Sequence, residues 1–525
     1  MAQKIEGKDE RPLQSFTLKN FLGVNTTNAR VAPPANESFY ALENAQPIGF
    51  GNIHSVNDIS SLLHTFTGQT VYAAFNVNIS NTEYLLLATT GGQLWAWNVS
   101  AQTATNITGG AGLSGSAVRA TQWSNSVALI IDSSGYYQWS GSGSIALITG
   151  SGAPTSGSAI AVYQNIVWIA QLRTIFFSAP GSYTDFTTAD GAGSTTIVDP
   201  VLRSNIIAML AANGYLYFWG TSSVNAISDV YVPSGASPPT PSFTNLNLSP
   251  IVGTDQPLSV CTYGRLVLFA NRWGIWSVYG ATVQALSSPD PNNQYQSAVD
   301  GTWQYVNFNQ AISGGQVVSN GLLQACFLMQ RNSDPIFGSN TIILMYQGDA
   351  VGGKWWNANY GSVNVIATAF VANTPCLFAI INGNQLYQLF ANAGSSPAAL
   401  IKTGLWDMGD PITQKEVLRG GLGISATGAA SLTLNLDTPR STYPFTISVV
   451  GQVQWVNSSN AIVTWQNNAL QTVQWQPGQF QTYWAAAPRG FAKYVGFTLT
   501  TTEGTGFEIN TFLMDYKMAA RWVGN

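Results

Sequence analysis

The chain has 525 residues, and only 8% of them are charged, against roughly 25% in an ordinary globular domain. With 45% hydrophobic and 12% aromatic residues it has too much apolar material for a disordered chain, and it is longer than one typical core supports. The formal net charge of −4 offers no basic surface that would hold nucleic acid tightly.

Residues 1–48 are predicted to form an amino-terminal arm. The first eleven residues carry charges of both signs and lack the apolar stretch of a signal peptide, so export by that route is not expected. Pro33 and Pro34 favour a turn or two of helix through Phe39 and Leu42 to Glu43, because proline is tolerated at a first helical position. No apolar window reaches the roughly 20 residues of a membrane-spanning helix, so we expect no membrane insertion.

Between residues 49 and 404 a turn followed by an aromatic strand recurs. Trp95, Tyr137, Phe176 and Tyr217 mark successive copies, separated by 42, 39 and 41 residues. A period of about 40 residues is the length of one four-stranded propeller blade. Further copies begin at residues 274, 341 and 383. The pattern predicts a β-propeller of six or seven blades, with the count favouring seven; two stacked β-sandwiches with evenly spaced strands are the alternative.

Two longer intervals in the repeat predict insertions near residues 225–258, which are rich in proline, and near residues 287–340, which are polar. Insertions of this kind are expected on surface loops. After residue 404 the repeat stops, and short segments such as residues 431–437 alternate between apolar and polar residues. This alternation predicts a separate carboxy-terminal β-sandwich domain over residues 405–525.

Motifs for metal and nucleotide chemistry are scarce. The two histidines, His54 and His64, have no cysteine or second histidine at metal-ligand spacing. A G-x-G-x-x-G string at residues 110–115 is followed by no helical pattern that could bind a pyrophosphate, and a loop between two blades accounts for it.

Carboxylates and thiols also favour structural roles. Asp185, Asp190 and Asp199 lie close enough in sequence to suggest a glycosidase pair, but aspartate beside glycine and serine more often shapes turns. Each of the three cysteines, at positions 261, 326 and 376, has apolar neighbours, which favours buried free thiols over a disulfide framework. We therefore predict no catalytic residue, no cofactor site, no metal site and no enzymatic activity.

Several short segments resemble those of one protein family. They are FLGVNT, APPA and ALEN at residues 21–26, 32–35 and 41–44, FSAPGSYTDF at 177–186, GIWSVYGA at 274–281, and WDMGDPITQKEVLR at 406–419. Together they are similar to the tail nozzle, or tail hub, proteins of short-tailed bacteriophages, which are virion β-propeller proteins. The matches reach across most of the chain.

The resemblance implies a structural protein of the virion tail, made in the cytoplasm of the bacterial host. It implies a homo-oligomeric ring, a hexamer by preference, that docks to adaptor or head-to-tail connector proteins and to tail fibres or spikes. DNA would only pass through the lumen of this ring during ejection. The alternative functions are a carbohydrate-binding, lectin-like propeller that recognises a receptor and, less favoured because acidic residues are few, a polysaccharide hydrolase.

Overall fold

The computed structural model describes residues 11–26, 30–31, 38–49, 51–200, 202, 204–288, 297–349, 352–426, 430–449, 465–466, 472–473, 481–504 and 506–519. Over these residues the regular secondary structure is almost entirely β-strand. The exceptions are one four-residue α-helix, α1 (Asp300–Trp303), and two single turns of 3-10 helix at Thr188–Asp190 and Pro257–Ser259. The all-β prediction is confirmed.

Six short strands precede the repeat region. They are β1 (Leu13–Leu18), β2 (Gly23–Val24), β3 (Ser38–Glu43), β4 (Ala45–Ile48), β5 (Asn52–Ser55) and β6 (His64–Thr65). The helix predicted through Phe39 to Glu43 is wrong, because these residues form β3. Phe39 and Leu42 are fully buried there, so tertiary pairing and packing outweigh the weak local signal of the prolines.

The repeat region begins with five consecutive antiparallel sheets of four strands each. The first holds β7 (Val71–Ile79), β8 (Thr82–Thr89), β9 (Leu94–Asn98) and β10 (Thr103–Asn106); the second, β11 (Arg119–Trp123), β12 (Val127–Asp132), β13 (Gly135–Trp139) and β14 (Ala146–Leu147). The third holds β15 (Ala159–Tyr163), β16 (Ile166–Gln171), β17 (Thr174–Phe177) and β18 (Gly193–Thr196). The fourth holds β19 (Ala208–Ala212), β20 (Tyr215–Trp219), β21 (Val224–Tyr231) and β22 (Ser242–Ser249); the fifth, β23 (Cys261–Tyr263), β24 (Leu266–Asn271), β25 (Gly274–Tyr279) and β26 (Thr282–Ala285).

Two further sets of strands complete the repeat region. A sixth antiparallel run is formed by β27 (Ser313–Ser319), β28 (Leu322–Gln330), β29 (Thr341–Asp349) and β30 (Gly352–Ala358), and it continues into a larger sheet through β3. The last set has only three strands of its own, β31 (Val363–Val371), β32 (Thr374–Ile381) and β33 (Gln385–Gln388). Its fourth strand is β6, which pairs with β33 through Leu386 opposite His64. The start and the end of the repeat region therefore share one sheet.

The predicted loop insertions are in large part strands. Residues 225–258 contain most of β21 and all of β22, and residues 287–340 contain α1, β27 and β28. The interpretation of these stretches as surface loops is wrong for the strands they contain. Both stretches lack the aromatic strand unit on which the period was counted, although β22 and β27 still alternate between more buried and more exposed residues.

Side chains from adjacent sheets form the cores of the repeat region. Successive residues of one strand face opposite neighbours: Leu86 packs towards the second sheet, whereas Leu85 and Leu87 pack towards the last one. In β12, likewise, Ile130 packs towards the first sheet and Ile131 towards the third. Because both faces are covered, strands such as β12 and β16 are almost continuously apolar and do not alternate with polar residues.

The first strands of the seven sets meet around one cavity. β31 contacts β7 and β27, β7 contacts β11, and β15 contacts β11 and β19. β23 contacts β27. The fourth and fifth sheets share a core in which the rings of Trp219 and Phe269 lie 5.9 Å apart. A cavity of about 390 Å³ is lined by residues of all seven first strands.

The carboxy-terminal strands join those of the amino terminus. They are β34 (Leu400–Thr403), β35 (Lys415–Ala426), β36 (Ala430–Asp437), β37 (Thr442–Val449), β38 (Trp465–Gln466), β39 (Thr472–Val473), β40 (Gln481–Ala492), β41 (Gly496–Thr501) and β42 (Phe507–Met518). One sheet has the order β4-β5-β42-β35-β40, with β1 also paired to β42. The other continues from β30 through β3, β34, β41 and β36 to β37. Residues near both ends of the chain thus build the same two sheets.

Candidate functional site

The turn between β24 and β25 presents an unusually exposed aromatic residue. Trp273 is 79% exposed, and Ile251 beside it is 80% exposed. Large apolar side chains left this open in a folded domain often mark a contact surface when they lie together. We call the cavity of about 390 Å³ that these two residues flank the Trp273 pocket; it is also lined by Thr221, Ser222, Gly253, Asp255, Asn271 and Arg272.

The buried amide of Asn271 fixes the backbone of the Trp273 pocket. Its Oδ1 accepts hydrogen bonds from the Trp273 amide at 2.8 Å and from the Trp276 indole at 3.0 Å. Its Nδ2 donates to the carbonyl of Gly253 at 2.8 Å, which ties the loop after β22 to the β24–β25 turn. The Trp303 indole donates to the Asn271 carbonyl at 2.7 Å. Trp273 therefore projects from a turn that is hydrogen-bonded on several sides.

Polar groups beside Trp273 are only partly engaged. Arg272 Nε donates to Asp255 Oδ2 at 2.8 Å, and the guanidinium lies 5.8 Å from the centre of the Phe308 ring. Asp255 Oδ1 and the Ser222 hydroxyl have no hydrogen-bond partner among the described residues. An exposed indole in a pocket lined by polar residues can contact either an apolar protein surface or the ring and hydroxyls of a sugar.

The two histidines lie in different environments. His54, in β5, has its Nε2 3.0 Å from Glu508 Oε1 on β42. The ring of His64, in β6, lies 4.7 Å from the Phe66 ring and 5.9 Å from the Trp97 ring, and burial lowers its pKa. His54 thus pairs two strands, whereas His64 packs in an aromatic cluster.

The glycine-rich string at residues 110–115 lies in the loop that connects β10 with β11. The amide and the hydroxyl of Ser114 both donate to the carboxylate of Asp132, each at 2.5 Å. Gly115 has φ of +74°, and a Cβ there would lie 2.4 Å from the carbonyl oxygen of Thr90. A strand follows the loop, so the helix N-terminus that a pyrophosphate site needs does not follow the string.

The three aspartates considered for glycoside hydrolysis take part in turns. Asp185 Oδ1 accepts from the Thr187 amide at 2.8 Å, and this hydrogen bond lowers its pKa, the opposite of what a general acid requires. Asp190 ends the 3-10 turn at Thr188–Asp190. The Asp199 carbonyl accepts from Arg173 at 2.7 Å.

The last features of the sequence to locate are the three cysteines and any segment that could span a membrane. All three cysteines are free; Cys326 is buried, and Cys261 and Cys376 are half-buried. Burial raises the pKa of Cys261 to about 12. Among the residues described, no group of three or more histidine, cysteine, aspartate or glutamate side chains could hold a metal ion. No helix in the described ranges is long and apolar enough to cross a membrane.

Sequence reasoning missed the Trp273 pocket. Trp273 was not separated from the other sixteen tryptophans, because composition cannot distinguish an exposed indole from a buried one. The available signal was position: Arg272 and Trp273 are the two residues between β24 and β25, where a side chain has few neighbours.

Comparison with known proteins adds no assignment. No protein-family model matches the chain, and no curated protein is significantly similar to it.

Proposed function

We propose that this chain is a non-enzymatic structural protein of a bacteriophage tail, in which copies assemble as a ring-shaped nozzle. In this proposal the seven sets of strands are the blades of a seven-bladed β-propeller, with β6 closing the last blade. Support for seven blades comes from the cavity lined by all seven first strands and from the contact between β31 and β7. Four strands per blade match the period of about 40 residues.

The observation that carries the ring is Trp273 together with Ile251. Both side chains are about four-fifths exposed, and the hydrogen bonds of Asn271 hold the turn beneath Trp273. A fixed aromatic anchor needs no ordering when it docks, and aromatic residues are enriched at the centres of protein interfaces. Subunits in a closed ring use such a surface heterologously, against a different surface of the next copy.

The proposed ring continues the DNA-ejection channel of the virion tail. Its neighbours would be an adaptor or head-to-tail connector protein on one side and tail fibres or spikes on the other, and six copies is the preferred number. The low overall charge suits DNA that passes without being held, because clustered lysine and arginine would bind the phosphates.

Native mass and negative-stain imaging test the ring. The purified chain should form a closed ring with an axial opening wide enough for duplex DNA, and Trp273→Ser should shift it to smaller species. Leu172→Ser is the matched control, because Leu172 is 64% exposed in the corresponding turn between the second and third strands of another sheet. A chain that stays monomeric at every concentration, or a ring unaffected by Trp273→Ser, contradicts this proposal.

Carbohydrate binding is the second candidate, and a specific observation favours it. Thr221, Ser222 and Asp255, which carry hydroxyl and carboxylate oxygens, line the same pocket as the exposed indole. Sugars are recognised by stacking on an aromatic face together with hydrogen bonds to their hydroxyls. If binding to a glycan array disappears in Trp273→Ser while the native mass is unchanged, the Trp273 pocket is a carbohydrate-binding site and not a contact between subunits.

A further inference from the structure

The cavity where the seven first strands meet has one charged side chain. Among the described residues that line it, Arg119 alone carries a charge, and no carboxylate lies in its wall. Arg119 begins β11, and its Nη1 donates to the carbonyl of Val118 at 2.8 Å. Its Nε is buried and has no hydrogen-bond partner among the described residues. A guanidinium in this position is only partly satisfied by the protein.

The carboxylate of Asp132 is engaged by other residues. Asp132 acts on Arg119 through space, but its oxygens accept hydrogen bonds from Ser114 and Ser134. Arg119 forms no ion pair with any described residue. Burial lowers the pKa of Arg119, which means that its surroundings disfavour the positive charge. A second negative group at the guanidinium would offset that cost.

The rest of the cavity wall has two kinds of surface. Ile160, Met209, Leu258 and Ile366 give it apolar areas. Gln316 belongs to the polar part of the lining; its Oε1 is buried without a partner among the described residues, and its backbone amide donates to the Thr368 hydroxyl at 2.7 Å. A volume of about 390 Å³ lies within the range of small-molecule pockets.

We propose that this cavity binds a small organic monocarboxylate, with the carboxylate on Arg119 and the hydrocarbon body against the apolar wall. One guanidinium balances one negative charge, and its planar fork matches a carboxylate. A phosphate dianion would need a second cation, which the described lining lacks. The site is independent of ring assembly, because every residue in it belongs to one chain.

Calorimetric titration of the purified full-length chain with benzoate tests the site, and benzamide serves as the uncharged probe of the same shape. Benzoate should bind at least about tenfold more tightly than benzamide, since a specific charge contact is worth a factor of that size. Inorganic phosphate should not displace benzoate at equal concentration. Equal affinity for benzoate and benzamide, or displacement by phosphate, would overturn the proposal.

Two variants assign the effect to the guanidinium. Arg119→Gln should weaken benzoate about tenfold or more and leave benzamide unchanged, whereas Arg265→Gln, which removes an exposed arginine, should leave both unchanged. Unaltered benzoate binding in Arg119→Gln contradicts the site. If that variant does not fold, Arg119→Lys replaces it: lysine keeps the charge without the planar fork, so benzoate should weaken severalfold, and wild-type affinity there would equally contradict it.

Discussion

Asp132 is a buried carboxylate that holds the glycine-rich loop against the end of β12. It receives hydrogen bonds from the amide and hydroxyl of Ser114 and from the hydroxyl of Ser134 at 2.9 Å. Burial by itself raises its pKa, but these hydrogen bonds outweigh burial, and the net pKa lies below the usual value. The charged form of Asp132 is therefore the form that the folded state favours.

Replacing Asp132 should cost stability in a pH-dependent manner. We expect Asp132→Asn to lower the free energy of unfolding by about 1–3 kcal/mol at pH 7, as for lost hydrogen bonds to a buried charge. The pKa of Asp132 is lower in the folded state than in the unfolded state. Its contribution to stability is therefore complete above the unfolded pKa of about 3.9 and is lost as the pH falls through the folded pKa. Urea unfolding at pH 7, 5 and 3 measures it, with exposed Asp229→Asn as control. If the stability difference between the wild-type protein and Asp132→Asn grows as the pH is lowered to 3, this prediction is wrong.

Arg331 is a fully buried cation whose surroundings only partly neutralise it. Its Nη1 lies 3.2 Å from Asp334 Oδ2, and its guanidinium lies 4.0 Å from the centre of the Phe337 ring. Among the described residues, Nε and Nη2 have no hydrogen-bond partner, and neither has Oε2 of nearby Glu43. Burial lowers the pKa of Arg331 to about 10 and raises that of Glu43.

Removing the charge of Asp334 should therefore be strongly destabilising. Asp334→Asn keeps an oxygen for the amides of Ile336 and Phe337 but leaves the Arg331 cation with less compensation, at a cost of about 3–5 kcal/mol. Asp255→Asn is the matched control, since its partner Arg272 is largely exposed and such pairs contribute at most about 1 kcal/mol. Chemical unfolding of both variants tests the difference; equal losses would show that burial of Arg331 is not the cause.

At the scale of residues, sequence reasoning read chemistry from residue type but not from burial. The glycine string was correctly attributed to a loop because no helix pattern followed it. The partner of that loop, Asp132, lies 18 residues away from Ser114, and no motif links the two. The burial of Arg119 and Arg331 could not be predicted from the sequence either, because it results from the packing of other strands around them.

At the scale of elements, β6 joins the two ends of the repeat region. His64 and Thr65 pair with β33, and the flanking amides of Leu63 and Phe66 donate to the carbonyls of Leu386 at 3.0 Å and Asn384 at 2.8 Å. Phe66, directly after β6, is fully buried, with its ring 4.7 Å from the His64 ring and 5.6 Å from the Trp95 ring. Apolar packing of Phe66 therefore adds to these hydrogen bonds in holding the strand in place.

Truncating Phe66 should loosen this junction. We expect Phe66→Ala to lower the free energy of unfolding by about 3–5 kcal/mol, the usual cost of removing a buried aromatic side chain. Leu62→Ala in the same segment is the control, because Leu62 is 47% exposed and should change stability by less than about 0.5 kcal/mol. Thermal and urea unfolding measure both, and a Phe66→Ala protein as stable as the control would mean that the packing of Phe66 does not hold this junction together.

The repeat was recoverable from sequence where each sheet kept its aromatic strand. Trp95, Tyr137 and Phe176 lie in the third strands of the first three sheets, so the aromatic strand recurs there at a nearly constant interval, whereas Tyr217 lies in the second strand of the fourth sheet. β22 and β27 were missed because a strand rich in serine, asparagine or glycine has no such marker. β6 could not have been assigned, since two residues carry no periodicity and the partner lies more than 300 residues away.

At the scale of the whole molecule, strands near the two ends of the chain form shared sheets. β1 pairs with β42 along six residues, from Leu13 opposite Lys517 to Leu18 opposite Phe512, and β3 pairs with β34. Arg11 forms an ion pair with Glu416, and the Ser15 hydroxyl donates to Asp515 at 2.6 Å. The predicted boundaries at residues 48 and 404 were placed by changes in local pattern, which carry no information about pairing between distant segments.

The shared sheets make a prediction about fragments. Residues 400–525 produced alone lack β1, β3 and β5, so β42 and β34 lose partner strands and the side chains that β3 covers become exposed. We expect this fragment to show no cooperative unfolding and to aggregate through its open edges. Co-production with residues 11–55 should restore a cooperative transition, measured by circular dichroism during heating. Cooperative unfolding of residues 400–525 alone would instead mean that the carboxy-terminal strands are an independent domain, whose folding does not require the amino-terminal strands.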